Sequence, residues 1–414
     1  MLALRVPTTV LDASIDGFQL AEDEFVVDAL FGSGLTHAPT GWIRALIAAI
    51  NAAGNAIISI DLPSGMVHPG SDDAFDPDAC IRARFTLTFE LPRLALLLPE
   101  SGPFAGNWEL IPIGLDRATV MQAEREASWV ERARVGQLLR PVSRFSHKGT
   151  LGHALIVAGS RGMYGAAVLS TMGALRSGSG LVTTHLPGEL ATQLPTVLPD
   201  AMTSIDPKAD RVSQLPDLER YTAIGVGPGI GQYPECKGLL LHAFHEAKVP
   251  LVLDADALNL IAADKALRSA VPAGSVLTPH PKEMDRLLGT VATDGYDRLQ
   301  RSRGLAQELR STIVLKGAYT CICAPDGELY FNSTGNVGMA KGGSGDVLTG
   351  LLTGLIAQGY SAECAAVIGV YLHGSAGDIC RMGMGMEAMR PSDLVDRLPQ
   401  AWSLLWSASE QALE

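Results

Sequence analysis

The chain reads as an α/β protein in two successive units, each built on a mostly parallel sheet. Three observations predict this. Short apolar runs recur, each ending in a cluster of Gly, Asp, Ser or Pro; helical periodicity fills much of the chain between them; and a glycine-rich stretch from Lys341 opens one of the helices. Strand, loop, helix, strand is the rhythm of a parallel sheet, whose functional groups gather at the strands' carboxyl ends.

In the first unit, Phe25–Leu30 runs into Gly32-Ser33-Gly34 and Ala56–Ile60 runs into Asp61-Leu62-Pro63-Ser64-Gly65. Between them Trp42–Ala53 has helical spacing with Gly54 as its stop signal. Arg84–Phe89 and Trp108–Ile113 predict two more strands. Arg117 to Arg144 is charged, helix-prone and free of Gly until Gly136, which predicts a helical lead-in. The second unit supplies strands at Ala154–Ala158, Ala223–Val226, Leu251–Leu253, Ser275–Thr278 and Thr312–Leu315, with helices at Ala166–Gly178 and Asp346–Gln358. Thr320–Asn332 alternates around Pro325-Asp326-Gly327, predicting a hairpin at the sheet's edge. The expected domains are residues 1–125 and 126–414.

Composition narrows the function classes. Apolar residues are 47% and charged residues 18%, enough for large cores and too apolar for disorder. A net charge of -12 disfavours nucleic acid and anionic membranes as partners, so a phosphate ligand must meet local positive groups. No apolar run approaches 18 residues and no cleavable leader is evident, so a cytoplasmic protein is expected. The six Cys lack zinc spacing; Cys321 and Cys323 alternate on one strand face and read as buried thiols.

The strongest chemical signal is KGGSGDVLTGLLTGLIAQG from Lys341. Gly342, Gly343 and Gly345, with Ser344, remove bulk where backbone must curl around a ligand, and the helix that follows gathers free N–H groups at its start. A helix N-terminus carries roughly half a positive charge, which makes the loop an anion cradle. Asp346 in the first turn can cap the helix or act as a general base beside the bound anion, and the glycine-rich approach favours the base. No Lys-Ser/Thr pair follows the glycines, so this is not a Walker A loop.

Further segments extend the pattern: SHKGTLGHALIVAGS from Ser146, YGAAVLSTMGALRSGSGLVT from Tyr164, GVGPGIG from Gly225, LVLDADALNL from Leu251, LTPHPKEMDRLLG from Leu277 and VLKGAYT from Val314. Together with the Lys341 run they resemble the NAD(P)H-hydrate dehydratase family over nearly all of residues 146–390. The resemblance implies a ribokinase-like three-layer α/β/α domain. Ser344 stands where the family more often has Thr, which keeps the hydroxyl. By resemblance Lys316, Gly317, Ala318, Tyr319, Thr320 and Gly345 meet the adenine nucleotide, and Ala166, Gly229, His280 and Asp346 meet hydrated NADH or NADPH. His280, held between Pro279 and Pro281 after a strand, and Lys316 at a strand end suit such contacts by placement alone. Asp254, Asp256, Asn259 and Glu283 read either as a Mg²⁺–water network or as hydrogen-bonded turns.

The implied reaction is nucleotide-dependent dehydration of the S form. The nucleotide phosphorylates the C6 hydroxyl of the hydrated ring while Asp346 takes its proton; N1 then expels phosphate and loss of the C5 proton restores the dihydronicotinamide. The resemblance leans toward ADP over ATP and toward a homo-oligomer, a tetramer.

DALFGSGL from Asp28 and SIDLPSGM from Ser59 resemble the NAD(P)H-hydrate epimerase domain, a Rossmann-like unit that precedes the dehydratase in bifunctional repair enzymes. By that resemblance Gly32, Ser33, Gly34, Leu35 and Asp61 face the hydrate, and Asp28 and Ser64 help hold K⁺. The family's Asn-Asn-Gly-Gly-Asp-Gly loop has no counterpart here, so a partial domain without epimerase activity is expected. Its open strand edge would need cover from another subunit or from Leu2–Leu11. Two readings compete with the dehydratase: a kinase for a vitamin-precursor alcohol on the same fold, and a nucleotide-binding scaffold without catalysis.

Overall fold

The computed structural model describes residues 10–411 except 12, 14, 16, 17, 72, 123 and 124. The chain divides into two compact units, Met1–Glu124 with Asp294–Tyr296, and Arg125–Thr293 with Asp297–Glu414.

The first unit holds four parallel strands in the order β1-β2-β3-β4: β1 (Val26–Asp28), β2 (Ile57–Ile60), β3 (Phe85–Phe89) and β4 (Asn107–Ile111). The helix Gly41–Ala52 forms where its periodicity predicts and buries Leu46, Ile47 and Ile50 against Ile57 and Ile81. Among the described residues β1 pairs with β2 alone. Of the segment expected to cover that edge, residues 2–9 lie outside the described residues, whereas Leu11 packs on the Leu46–Ile47 cluster together with Ile15 and Phe18.

The second unit is a ten-stranded sheet: β5 (Ser128–Val130), β6 (His153–Val157), β7 (Leu181–Leu186), β8 (Met202–Ile205), β9 (Ala223–Val226), β10 (Leu251–Leu253), β11 (Val276–Leu277), β12 (Thr312–Leu315), β13 (Cys321–Cys323) and β14 (Leu329–Asn332). Its order is β5-β14-β13-β12-β11-β10-β9-β6-β7-β8, parallel except where β13 runs against its neighbours. Every residue of β6 and β9 is buried, as strands covered on both faces require. The chain runs outward from β6 through β7 to β8, then returns to β9 on the other side of β6. That reversal opens a crevice at the carboxyl ends of β6 and β9, the place where open α/β sheets bind ligands.

Three expectations are corrected. The hairpin β13–β14 is not the sheet's edge, because Ser128–Val130, read from its charged surroundings as part of a helical lead-in, pairs in parallel with β14 as the edge strand. Helices do flank it, at Arg117–Gln122 and Arg132–Leu138. Strands β7 and β8 carry no clear signal in the sequence, and the Ser275–Thr278 strand shortens to Val276–Leu277, with the Thr278 amide still donating to the Leu253 carbonyl at 3.1 Å.

The helices Tyr164–Leu175 and Ser344–Ala357 pack face to face, and glycines set their distance. A Cβ on Gly350 would lie 1.8 Å from the Ser170 carbonyl oxygen, and one on Gly173 2.2 Å from that of Val347. Gly350→Ala gains about 1 kcal/mol of helix propensity, yet it forces two backbones apart, and overpacking costs about 1–3 kcal/mol or more. A lower melting temperature than the parent's is the expected result; a rise would mean that the helices are free to separate there.

Candidate active site

Successive strand ends deliver the polar residues of the second unit to one edge: Asp254 after β10, His280 after β11 and Lys316 after β12. Lys316 Nζ donates to Asp254 Oδ1 at 2.9 Å and lies 3.9 Å from Glu283 Oε2. The other Asp254 oxygen accepts from Thr349 Oγ1 at 2.7 Å. Burial works against the Lys316 charge, but Asp254, Glu283 and Asp346 outweigh it, so the ammonium is held firmly protonated. Lys316 is therefore no solvated strand end. Ala255, between the two acids of the Asp-Ala-Asp run, takes φ 51°, and such strain in a side-chain-bearing residue marks a site whose surroundings fix it.

The glycine-rich loop meets this pair. A Cβ on Gly345 would stand 3.4 Å from Lys316 Nζ and 3.6 Å from Asp254 Oδ2, so the loop, Lys316 and Asp254 form one surface. Gly343 is the residue before the helix Ser344–Ala357 and has φ 105°. Lys341 Nζ fixes the loop by donating to the carbonyls of Glu387 and Met389 at 2.6 and 2.5 Å. Below the loop the buried Ser344 Oγ and His373 Nε2 have no hydrogen-bond partner among the described residues, and burial pushes the His373 imidazole down to about 4, keeping it neutral.

Asp346 sits in the first turn of that helix. Burial, then the charge of Asp254, pushes its carboxyl up to about 7 against the pull of Lys316, with Asp256 adding to the rise. A base that titrates near operating pH combines a large ionised fraction with real proton affinity. The N-cap itself, Gly343, makes no side-chain cap hydrogen bond.

His280 is the N-cap of the helix Pro281–Leu288. Its Nδ1 accepts from the Lys282 and Glu283 amides at 3.1 and 3.3 Å, while Glu283 Oε2 accepts from the His280 amide at 2.9 Å. With Nδ1 so occupied, the neutral ring carries its proton on Nε2, and burial lowers its affinity for a second one. His280 thus offers a hydrogen-bond donor, not a base.

Ala166 and Gly229 come together at the crevice: a Cβ on Gly229 (φ 63°) would lie 3.0 Å from the Ala166 Cβ. Gly317, Ala318, Tyr319 and Thr320 form the turn between β12 and β13, with Gly317 and Ala318 exposed and the Tyr319 ring 5.9 Å from that of Trp129 on β5.

Among the described residues no three His, Cys, Asp or Glu side chains are arranged to hold a metal ion. Asp254 is taken by Lys316 and Thr349, Asp256 Oδ2 by the Gly231 amide at 2.9 Å and Asn259 Oδ1 by Arg286 at 2.8 Å. Each of these three residues is thus held by a hydrogen bond from its surroundings. Sequence reasoning missed Thr349, three residues beyond Asp346 on the same helix face, and Ser160, whose Oγ donates to the Gly229 carbonyl at 2.7 Å. Only the helical spacing of Thr349 from Asp346 could have signalled either.

In the first unit Asp61 takes φ 68° and its Oδ2 accepts from the Ser33 amide at 2.9 Å, beneath Gly32, whose Cβ would meet that oxygen at 2.8 Å. Among the described residues the buried Asp61 Oδ1 has no hydrogen-bond partner. Gly34 and Leu35 continue the same turn. Asp28 is buried and already satisfied, by Ser59 Oγ at 2.7 Å and by the Ser64 amide and hydroxyl at 2.8 and 2.6 Å. With those donors in place the Asp28–Ser64 pair does not fit a K⁺ site.

The profile of NAD(P)H-hydrate dehydratases matches residues 154–400, and that of the YjeF-related protein N-terminus matches residues 3–95. The chain is 39% identical to the bifunctional NAD(P)H-hydrate repair enzyme of Moorella thermoacetica over 91% of its own length and 72% of that protein's. It is 34% identical to the corresponding Escherichia coli enzyme, covering 91% and 71%. Among solved structures, the ADP/ATP-dependent NAD(P)H-hydrate dehydratase of Bacillus subtilis, co-crystallised with ATP and Mg²⁺, superposes with a TM-score of 0.57 at 32% identity, covering 67% of this chain and 99% of that one. A ribokinase-like superfamily protein of Enterococcus faecalis gives 0.60 at 26% identity, covering 68% and 98%. The fold is thus ribokinase-like, the expected buried thiols are free, and no helix among the described residues is long and apolar enough to cross a membrane. On these matches the chain belongs to the bifunctional NAD(P)H-hydrate repair enzymes and carries their dehydratase domain.

Proposed function

We propose that the second unit dehydrates the S form of hydrated NADH and NADPH by phosphorylating it, with Asp346 as the base. The observation that carries this is a carboxyl of pKa about 7 in the first turn of a glycine-led helix, beside the Lys316–Asp254 pair. The hydrate's C6 hydroxyl attacks the terminal phosphorus of ADP or ATP, and Asp346 takes the hydroxyl proton. The bond from that phosphorus to the bridging oxygen breaks, releasing AMP or ADP. The N1 electron pair then expels phosphate from C6, and loss of the C5 proton restores the reduced ring. The amides of Gly342–Gly345 and the Lys316 ammonium would hold the transferring phosphoryl, with Gly317–Thr320 on the rest of the nucleotide. Ala166 and Gly229 would form the floor under the hydrated ring, and the His280 Nε2–H would donate to it.

Mg²⁺ fits this edge in charge. The carboxylates of Asp254 and Asp256 both raise the Asp346 pKa, a surplus of negative charge that a cation carried by the nucleotide would meet. Such an ion neutralises charge that develops on the phosphates. In the first unit Gly32, Ser33, Gly34, Leu35 and Asp61 would face a hydrate; K⁺ has no part in the proposal. Free buried thiols agree with a reducing cytoplasm, and a homotetramer is the proposed assembly.

The test is to incubate the protein with S-hydrate and ADP or ATP and follow the return of dihydronicotinamide absorbance across pH. Asp346 must be ionised to act, so turnover should fall about tenfold per pH unit below about 7 and level off above it. A rate flat from pH 5 to 8 would remove Asp346 from the role. Phosphorylated hydrate accumulating without a regenerated ring would favour the kinase reading.

A further inference from the structure

The second unit has an open cleft of about 800 Å³ between the helices Asp256–Ala263 and Pro281–Leu288. Gln232, which lines it, follows directly on Gly231, the residue whose amide binds Asp256. Lys282 and Arg286, one helical turn apart and both exposed, stand in its wall. Among the described residues no carboxylate pairs with either, and the bond that Arg286 does make is to the neutral Asn259 Oδ1. The one acid in the lining, Asp285, is neutralised by Arg298 through bonds of 2.9 and 3.1 Å. The cleft wall therefore carries uncompensated positive charge on a chain of net charge -12. Both cations also act on His280, which places them within electrostatic reach of the active site.

We propose that this cleft holds the diphosphate of the hydrated dinucleotide, with Lys282 and Arg286 as the groups that meet its charge. The proposal rests on the dehydratase reading. The nucleotide co-substrate has its own cradle at Gly342–Gly345, and a second positive surface is what a two-phosphate linker outside that cradle requires. A volume of about 800 Å³ suits part of a dinucleotide.

The test uses the Lys282→Gln, Arg286→Gln double variant, whose side chains are exposed and whose fold a thermal melt can check. The Michaelis constant for S-hydrate should rise about tenfold or more, the scale of lost charge-assisted bonds, while kcat and the Michaelis constant for the nucleotide hold. An unchanged value for the hydrate, or a rise confined to the nucleotide, overturns the proposal. Calorimetry with ADP-ribose gives a readout independent of turnover: binding to the parent should weaken about tenfold in the variant. If the parent fails to dehydrate the hydrate, the dehydratase reading falls, and this arm alone decides the cleft. No binding of ADP-ribose, or equal binding by both proteins, overturns it.

Discussion

Asp346→Asn should abolish nearly all dehydration, lowering kcat by about 10²–10⁴-fold while nucleotide still binds. The amide keeps the size and hydrogen-bonding outline of the carboxylate but cannot take the hydroxyl proton. The variant also separates catalysis from folding. A carboxyl raised from 3.8 to about 7 favours the folded state most below its unfolded value, and that contribution is lost as pH rises through about 7. The neutral amide removes this loss, so at pH 8 the variant should melt at or above the parent's temperature. Lost turnover with undiminished stability supports the assigned role. Full turnover would place the base elsewhere.

Gly343→Val should have an effect of similar size by a different route. At φ 105° any side chain is strained, and a β-branched one most of all. A Cβ there would also meet Leu169 Cδ1 at 2.6 Å and Pro391 Cγ at 3.1 Å. The loop must then shift, and the amides of Ser344 and Gly345 leave the position that presents them to phosphate. Nucleotide affinity and turnover should both fall by at least about tenfold, where Asp346→Asn spares the first of these. Calorimetric titration with ADP, beside the turnover assay, checks the pair. Normal affinity and normal rate would show that the cradle lies away from the phosphate.

Much of this was legible in the residues. The parallel sheet, the strand-end position of Asp254, His280 and Lys316, and the glycine loop before a helix all follow from local chemistry. Alternation and 3.6-residue spacing report how a segment meets its own neighbourhood, and glycines report where backbone must bend. The strands Ala223–Val226, Leu251–Leu253 and Thr312–Leu315 stand where they were read, because buried parallel strands are short apolar runs with clear punctuation. Ser128–Val130 was illegible for the converse reason: it is a strand only because β14 offers it an open edge. Asp28 and Ser64, 36 residues apart, meet only because β1 and β2 pair in parallel.

By itself, then, the sequence determined the fold class, the glycine-led helix start and which acid stands in its first turn, since each is written in short-range spacing. Only the tertiary structure decided what those groups are chemically. Lys316 and Thr349 reach Asp254 from 62 and 95 residues away, and closure of the sheet over their shared edge sets every one of those contacts. The same closure removes water from Asp346 and brings the Asp254 charge to it, lifting an ordinary carboxylate to about 7. Desolvation and Coulomb energy depend on distances through space, and a linear chain does not fix those until it has folded.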